Sequence, residues 1–287
     1  MLDLILGILF FNLILVLFKL FERFGVDNLQ AIVVNYVVAS SLGIWLSDFQ
    51  QPIIQIVRSE WMWHALMIGF FFVVVFNLLA RGAQKVGMAV STVANKMSVV
   101  IPVIFAIFMF GDTVSFLKIL GIVLALVGVY LTSTTKRKLS FDRRYLWLII
   151  VIFLGQGIAD CIFNFAQQFY VDDNESKLFI AALFIAAFVT GLIMLIPKYI
   201  SRESTFKWKN VLWGIALGFP NFGTVYYFFR SLESGFMESS QIYPVLNMGV
   251  IIISALSGYL LFKERLSAVN WLGILLSVIA IAAISLS

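Results

Sequence analysis

The chain has 287 residues, of which 62% are hydrophobic and 12% charged, with a mean hydropathy of +1.01, whereas soluble domains carry about 25% charged residues; a water-soluble fold is excluded. The net charge of +5 comes from basic residues concentrated in loops that flank apolar runs, which excludes reading it as a nucleic-acid footprint. Cys161 is the single cysteine, so there is neither an intramolecular disulfide nor a cysteine-cluster metal site.

A hydrocarbon core of about 30 Å needs roughly 20 helical residues. Ten runs meet that length, at 2–21, 29–48, 61–80, 88–110, 114–134, 145–168, 176–197, 208–230, 236–261 and 266–286. Continuous runs such as Leu117–Leu131 favour helices over the short alternating strands of a membrane barrel. The predicted class is therefore an all-α integral membrane protein of ten transmembrane helices. All seven tryptophans fall near predicted span ends, the place of interfacial aromatics.

In chain order, the first span has Asp3 and no basic residue before its apolar run, so it reads as a retained span and not as a cleaved signal. His64, the only histidine, opens the third span as an interfacial imidazole. In span 4, Ser91, Asn95 and Ser98 share a face that Pro102 extends. Lys96 lies about nine residues into that span, where an isolated charge costs several kcal/mol. A basic linker, 135–144, follows span 5.

Span 6 places Gln156, Asp160, Asn164 and Gln167 at i, i+4, i+8 and i+11, on one face. Asp160 is as deep as Lys96. The two are either a structural ion pair or the ligands of a solute carboxylate, on Lys96, and of a solute amine or proton, on Asp160. Span 8 holds Gly218-Phe-Pro-Asn-Phe-Gly223, with Asn221, and then Tyr226 and Tyr227. A proline between glycines loosens a helix, and the aromatics either stack on a planar solute or simply pack. Glu238 enters span 9 as an interfacial carboxylate, ahead of Ser240, Pro244 and Asn247.

The chain repeats itself. Gly69–Ser91 aligns without gaps on Gly218–Ser240 at an offset of 149, matching Arg81 with Arg230 and Met88 with Met237. After a three-residue shift, Phe110-Gly-Asp112-Thr-Val-Ser115 with Gly121 matches Phe262-Lys-Glu264-Arg-Leu-Ser267 with Gly273. This element reads as structural: an acidic turn, a serine N-cap and a glycine for close helix packing. Gly7 and Asn12 echo Gly155 and Asp160 more weakly. The domains are then a five-helix repeat over 1–134, the linker 135–144, and a second five-helix repeat over 145–287. With five spans each, the halves cross the membrane in opposite senses, an inverted repeat. The Ser91–Asn95 stripe and its counterparts Ser240, Pro244 and Asn247 fall near the pseudo-twofold axis, either lining a cavity or bonding helix to helix.

These features resemble the EamA-like branch of the drug/metabolite transporter superfamily over essentially the whole chain. Each half closes with a proline-bearing span, an acidic turn and a glycine-bearing span: Pro102, Asp112 and Gly121, then Pro244, Glu264 and Gly273. The first half departs in having aspartate where glutamate is common, and in a proline about two turns deeper than its counterpart. The resemblance implies export or exchange of amino acids, metabolites or drugs through a central cavity.

The expected function is secondary transport of a small solute by alternating access, with export as the direction. Candidate solute or coupling residues are Lys96, Asp160, Asn95, Ser91, Gln156, Asn164, Asn221, Tyr226, Ser240 and Asn247. The alternatives are an intramembrane lipid-acting enzyme, for which one histidine, one cysteine and scattered carboxylates offer little, and a non-transporting scaffold, against which the deep polar stripes argue. There is no Gly-x-x-x-x-Gly-Lys-Ser/Thr loop for a nucleotide. The expected partners are membrane lipid and a small solute, with a proton as candidate coupling ion and neither cofactor nor nucleic acid, in a monomer or homodimer of a bacterial-type inner membrane.

Of the 20 Lys and Arg, fifteen fall on the side of the loops after odd-numbered spans, including Lys19, Arg81, Arg143, Lys209 and Lys263, and four on the other. The positive-inside rule places both termini outside the cytoplasm. A periplasmic phosphatase reporter fused after Ser287 is expected to be active there and a fluorescent cytoplasmic reporter dark. The opposite pair of results reverses the orientation.

Overall fold

The computed structural model describes residues 2–46, 57–110, 115–132, 143–172, 175–233 and 239–286, and every element among them is a helix. In chain order these are α1 (Leu2–Phe24), α2 (Asn28–Leu46), α3 (Met62–Lys85), α4 (Met88–Met97), α5 (Val100–Phe110) and α6 (Phe116–Thr132). After the linker come α7 (Arg143–Phe169), α8 (Ser176–Ile200), α9 (Trp208–Glu233), α10 (Ser239–Phe262) and α11 (Ala268–Ser285). Five of them, α1, α2, α3, α7 and α8, are long and apolar enough to cross a membrane, and shorter apolar helices accompany them. The protein is a multi-pass membrane protein.

One predicted span is two helices. Pro102 has no N–H for the carbonyl of Ser98, and its ring would strike that carbonyl in a continuous helix. The Ser98 carbonyl instead accepts from the Ile101 amide at 2.8 Å, and the chain breaks at Ser98–Val99 between α4 and α5. The loosening expected at Pro220 does not interrupt α9, which runs through it. Pro244 likewise sits in the second turn of the continuous α10; of these three prolines only Pro102 stands just past a break.

The chain forms two compact units. The first comprises Met1–Lys19, Leu78–Gly157 and Gly223–Ser287, and the second Leu20–Asn77 and Ile158–Phe222. Each unit therefore draws on both halves of the sequence.

In the first unit α6 packs along α11. The buried face of α6 is Gly121, Ala125, Gly128 and Thr132, small residues that let two backbones approach. A Cβ on Gly128 would collide with Ser277 Oγ, and one on Gly273 would stand 2.6 Å from the Thr132 amide nitrogen. These pairings make the helices antiparallel. Ser115 accepts from the Lys118 amide at 3.1 Å, and Ser267 caps α11 in a reciprocal box with Asn270, whose Nδ2 also donates to the Thr132 carbonyl at 2.8 Å. The serine caps and the packing glycine stand as the sequence predicted.

In the second unit α2 lies against α8. Gly43 meets Ala181 and Gly191 meets Val33, so this pair is antiparallel too. A buried polar lock closes one end: Gln30 donates to Ser204 Oγ and Asn210 donates to Gln30 Oε1 at 2.7 Å, while Ser204 donates to Asp27 Oδ2 at 2.8 Å. Trp61 stands immediately before α3, at the end of its predicted span. It is 1% exposed, packed edge-on to Phe179 and donating to Glu175 Oε2 at 2.8 Å. His64 lies against Tyr170, ring centroids 4.7 Å apart.

Because the Gly273 position has backbone on its open side, Gly273→Leu is expected to cost about 1–3 kcal/mol or more through overpacking. Leu126→Ala, on the half-exposed face of the same helix pair, should change stability far less. Thermal unfolding of the purified variants checks both. Equal melting temperatures for Gly273→Leu and the parent would contradict the packing.

Candidate functional site

The polar centre of the first unit is α4. Every residue of this ten-residue helix is buried except Lys96, which is half-buried. Ala89, Val93 and Met97 pack against α6, α10 and α11, while Val90 and Ala94 pack against Leu148, Ile149 and Ile152 of α7. The apolar residues thus set which faces of α4 meet its neighbours, and its polar residues have little choice of direction.

Asn95, 3% exposed, donates from Nδ2 to Gln156 Oε1 of α7 at 2.9 Å. This joins the two polar stripes predicted for spans 4 and 6. Ser98 turns back onto the Asn95 carbonyl. Ser91 is fully buried, and its Oγ, like Thr92 Oγ1, has no protein partner. Gly82 leaves room for the Ser91 hydroxyl, since a Cβ there would lie 2.5 Å from Oγ.

The depth of Lys96 is accounted for by where its helix ends. It lies in the last turn of α4, beside carbonyls that the break at Pro102 frees, and a cation at a helix C-terminus gains about 0.3–2 kcal/mol. Its Nζ also stands 3.8 Å from the ring centroid of Phe11, a cation–π contact contributing about 0.5–2 kcal/mol. Together these offset much of the several kcal/mol that a charge at this depth costs. At the other end of α4, the Glu264 carboxylate accepts from the Met88 amide at 3.0 and 3.1 Å and pairs with Lys19 Nζ at 3.1 Å. The half-helix carries a carboxylate at its positive end and an ammonium at its negative end.

The remaining candidates lie on α7, α9 and α10. Asp160 is half-buried in the second unit, and Asn164 and Gln167 further along α7 are exposed. Asn221 is 7% exposed with Nδ2 unpartnered. Tyr226 meets Tyr227 edge-on at 5.2 Å and lies under Arg230, and Tyr227 stacks on Phe10 at 5.5 Å; these rings pack. Asn247 is buried on α10. Ser240 and Pro244 are in the same helix, but their side chains lie outside the described residues, as do Asp112, Glu238 and linker residues 135–142.

Sequence reasoning missed Phe11, the Lys19–Glu264 pair and two amides, Asn35 and Asn77, whose Oδ1 atoms, like that of Asn12, are buried without a partner. The amides were within reach, because each is a polar residue inside a predicted span. The ion pair joins chain ends and carries no local signal.

Comparison with known proteins follows the same lines. The sequence profile of the EamA-like transporter family matches residues 1–134 and 174–286. An uncharacterized protein of Haemophilus influenzae (strain ATCC 51907 / DSM 11121 / KW20 / Rd) is 29% identical over 287 residues, covering 97% of this chain and 96% of that one. A solved crystal structure superposes over 99% of this chain and 97% of the other with a TM-score of 0.58; at 16% identity the likeness is one of fold.

Removing the Gln156 amide takes from the buried Asn95 side chain the acceptor it donates to, at a cost of about 1–3 kcal/mol. Gln156→Leu is expected to lower the melting temperature, and Asn95→Leu with Gln156→Leu to recover most of the loss. A double variant as unstable as the sum of the singles would show that the two amides act independently.

Proposed function

The chain belongs to the EamA-like transporter family, within the drug/metabolite transporter superfamily, and from this membership we propose that it is a secondary transporter moving a small solute by alternating access, with export as its direction. The observation that carries this reading is the buried, broken fourth span. Irregular backbone at membrane depth is tolerated where it lines a cavity, and half-helix ends facing such a cavity hold solutes and coupling ions in transporters of this construction. Here that end bears Lys96, Asn95 and Ser98.

The inverted-repeat reading over 1–134 and 145–287 has separate support. The last helices of the two halves, α6 and α11, pair antiparallel, and so do the second helices, α2 and α8. Equivalent helices pairing antiparallel is what halves crossing in opposite senses require. The basic residues favour a cytoplasmic linker and outward termini in an inner membrane of bacterial type.

On this reading Lys96 binds an anionic group of the solute and Asp160 an amine or proton. Asn95, Ser91, Gln156, Asn164, Asn221, Tyr226, Ser240 and Asn247 shape the path. Lys96→Met and Asp160→Leu are each expected to abolish uptake into proteoliposomes across a panel of radiolabelled amino acids, nucleosides, sugars and organic cations, with melting temperatures close to the parent. The double variant should restore nothing. Singles that unfold, with a double variant that recovers both stability and uptake, would make the two residues a structural pair. Full uptake by both singles would remove them from the mechanism.

A further inference from the structure

We propose that Lys19 and Glu264 form a releasable clasp on α4, holding its solute-bearing half-helix closed against α1 and opening when the solute gains access; the proposal rests on the transport reading. The carboxylate is placed by backbone geometry. Lys263 takes a positive φ of 52° at the end of α10, and the Glu264 amide bonds back to the Gly258 carbonyl at 2.9 Å, a left-handed helix stop that fixes the next side chain. From there Glu264 reaches the Met88 amide with both oxygens and Lys19 Nζ with one.

Lys19 also donates to the Ala83 carbonyl at 3.0 Å, and Gln84 Nε2 to the Phe18 carbonyl at 2.8 Å. Three segments remote in sequence, the end of α1, the α3–α4 junction and the α10–α11 turn, thus meet at one end of α4. The space is kept by glycine: a Cβ on Gly258 would lie 2.7 Å from Glu264 Oε2, and one on Gly87 3.2 Å.

Two features make this a clasp and not a fixed strut. The side chains of Lys19 and Glu264 are 19% and 13% exposed, so the pair is not sealed inside the protein and can part without opening a packed core. The second feature is that α4 has a joint at each end. Gly87, at a φ of 128° open to glycine, precedes it, and the Ser98–Val99 break follows. A ten-residue helix hinged at both ends moves as a body once the tether on its first amide is released.

The test uses thiol labelling and needs no solute. With Cys161→Ser as background, Thr92→Cys places a thiol on α4 at a fully buried position whose hydroxyl has no partner to lose. Its labelling rate with N-ethylmaleimide reports exposure of α4 in the purified full-length protein. The expected result is slow labelling in the background, at least tenfold faster labelling with Lys19→Met or Glu264→Gln, and a slow rate again with Lys19→Arg. Lys19→Met with Glu264→Gln should label no faster than the quicker single.

Parental rates in both single variants, or equal rates in Lys19→Met and Lys19→Arg, overturn the clasp. Should Glu264→Gln fail to fold, the Lys19 variants decide alone. Should Lys19→Met fail as well, the pair is a structural lock and the proposal falls. Uptake by the Lys96 and Asp160 variants is read separately, so a clasp that fails with transport intact is distinguishable from a failure of the transport reading.

Discussion

The arrangement of the first unit depends on a hydrogen bond that cannot form. Pro102 offers no N–H to the Ser98 carbonyl, and its ring excludes the helical geometry that such a bond would need. The fourth span therefore ends at Met97 and restarts at Val100. From this one interruption follow a helix terminus inside the predicted fourth span, a favourable place for the Lys96 ammonium in the last turn, and a short buried helix whose other terminus must be satisfied. Glu264 satisfies it. Lys96, the charge that looks least affordable in the sequence, and Glu264 complement the two ends of one half-helix dipole.

Within each unit the fold is held by close backbone approach more than by large apolar side chains. Within lipid there is little hydrophobic gain from bringing helices together, and association relies on packing and interhelical hydrogen bonds. Gly128 against Ser277, Gly273 against Thr132, Gly69 against Ala186 and Gly191 against Val33 are all contacts in which an added Cβ would clash. The same logic explains the amide pair of Asn95 and Gln156 and the lock of Asp27, Gln30, Ser204 and Asn210. In these units small residues set helix spacing and polar ones set register.

Much of this was legible in the sequence because the membrane restricts what a chain can do. The helical class, the serine caps at Ser115 and Ser267 and the packing role of Gly273 follow from rules that act locally. The two-turn difference in proline depth was visible as a departure from the repeat, but its consequence was not. Whether a proline breaks a helix depends on its depth in that helix and on what packs beside it, and Pro220 and Pro244 pass where Pro102 does not. Trp61 sits at a predicted span end yet is buried against Phe179 and Glu175, since position along a helix says nothing of its azimuth. The Lys19–Glu264 contact was illegible for a further reason: each residue reads alone as a loop charge, and only tertiary folding brings them together.

The central claim is that the break at Pro102 creates the solute-binding end of α4. Substituting Pro102→Ala restores the missing donor and tests this directly, through solute uptake in proteoliposomes measured beside the melting temperature. A healed fourth span should leave the protein folded and at least as stable as the parent, with uptake lost. Unimpaired uptake by a folded Pro102→Ala protein would contradict the account.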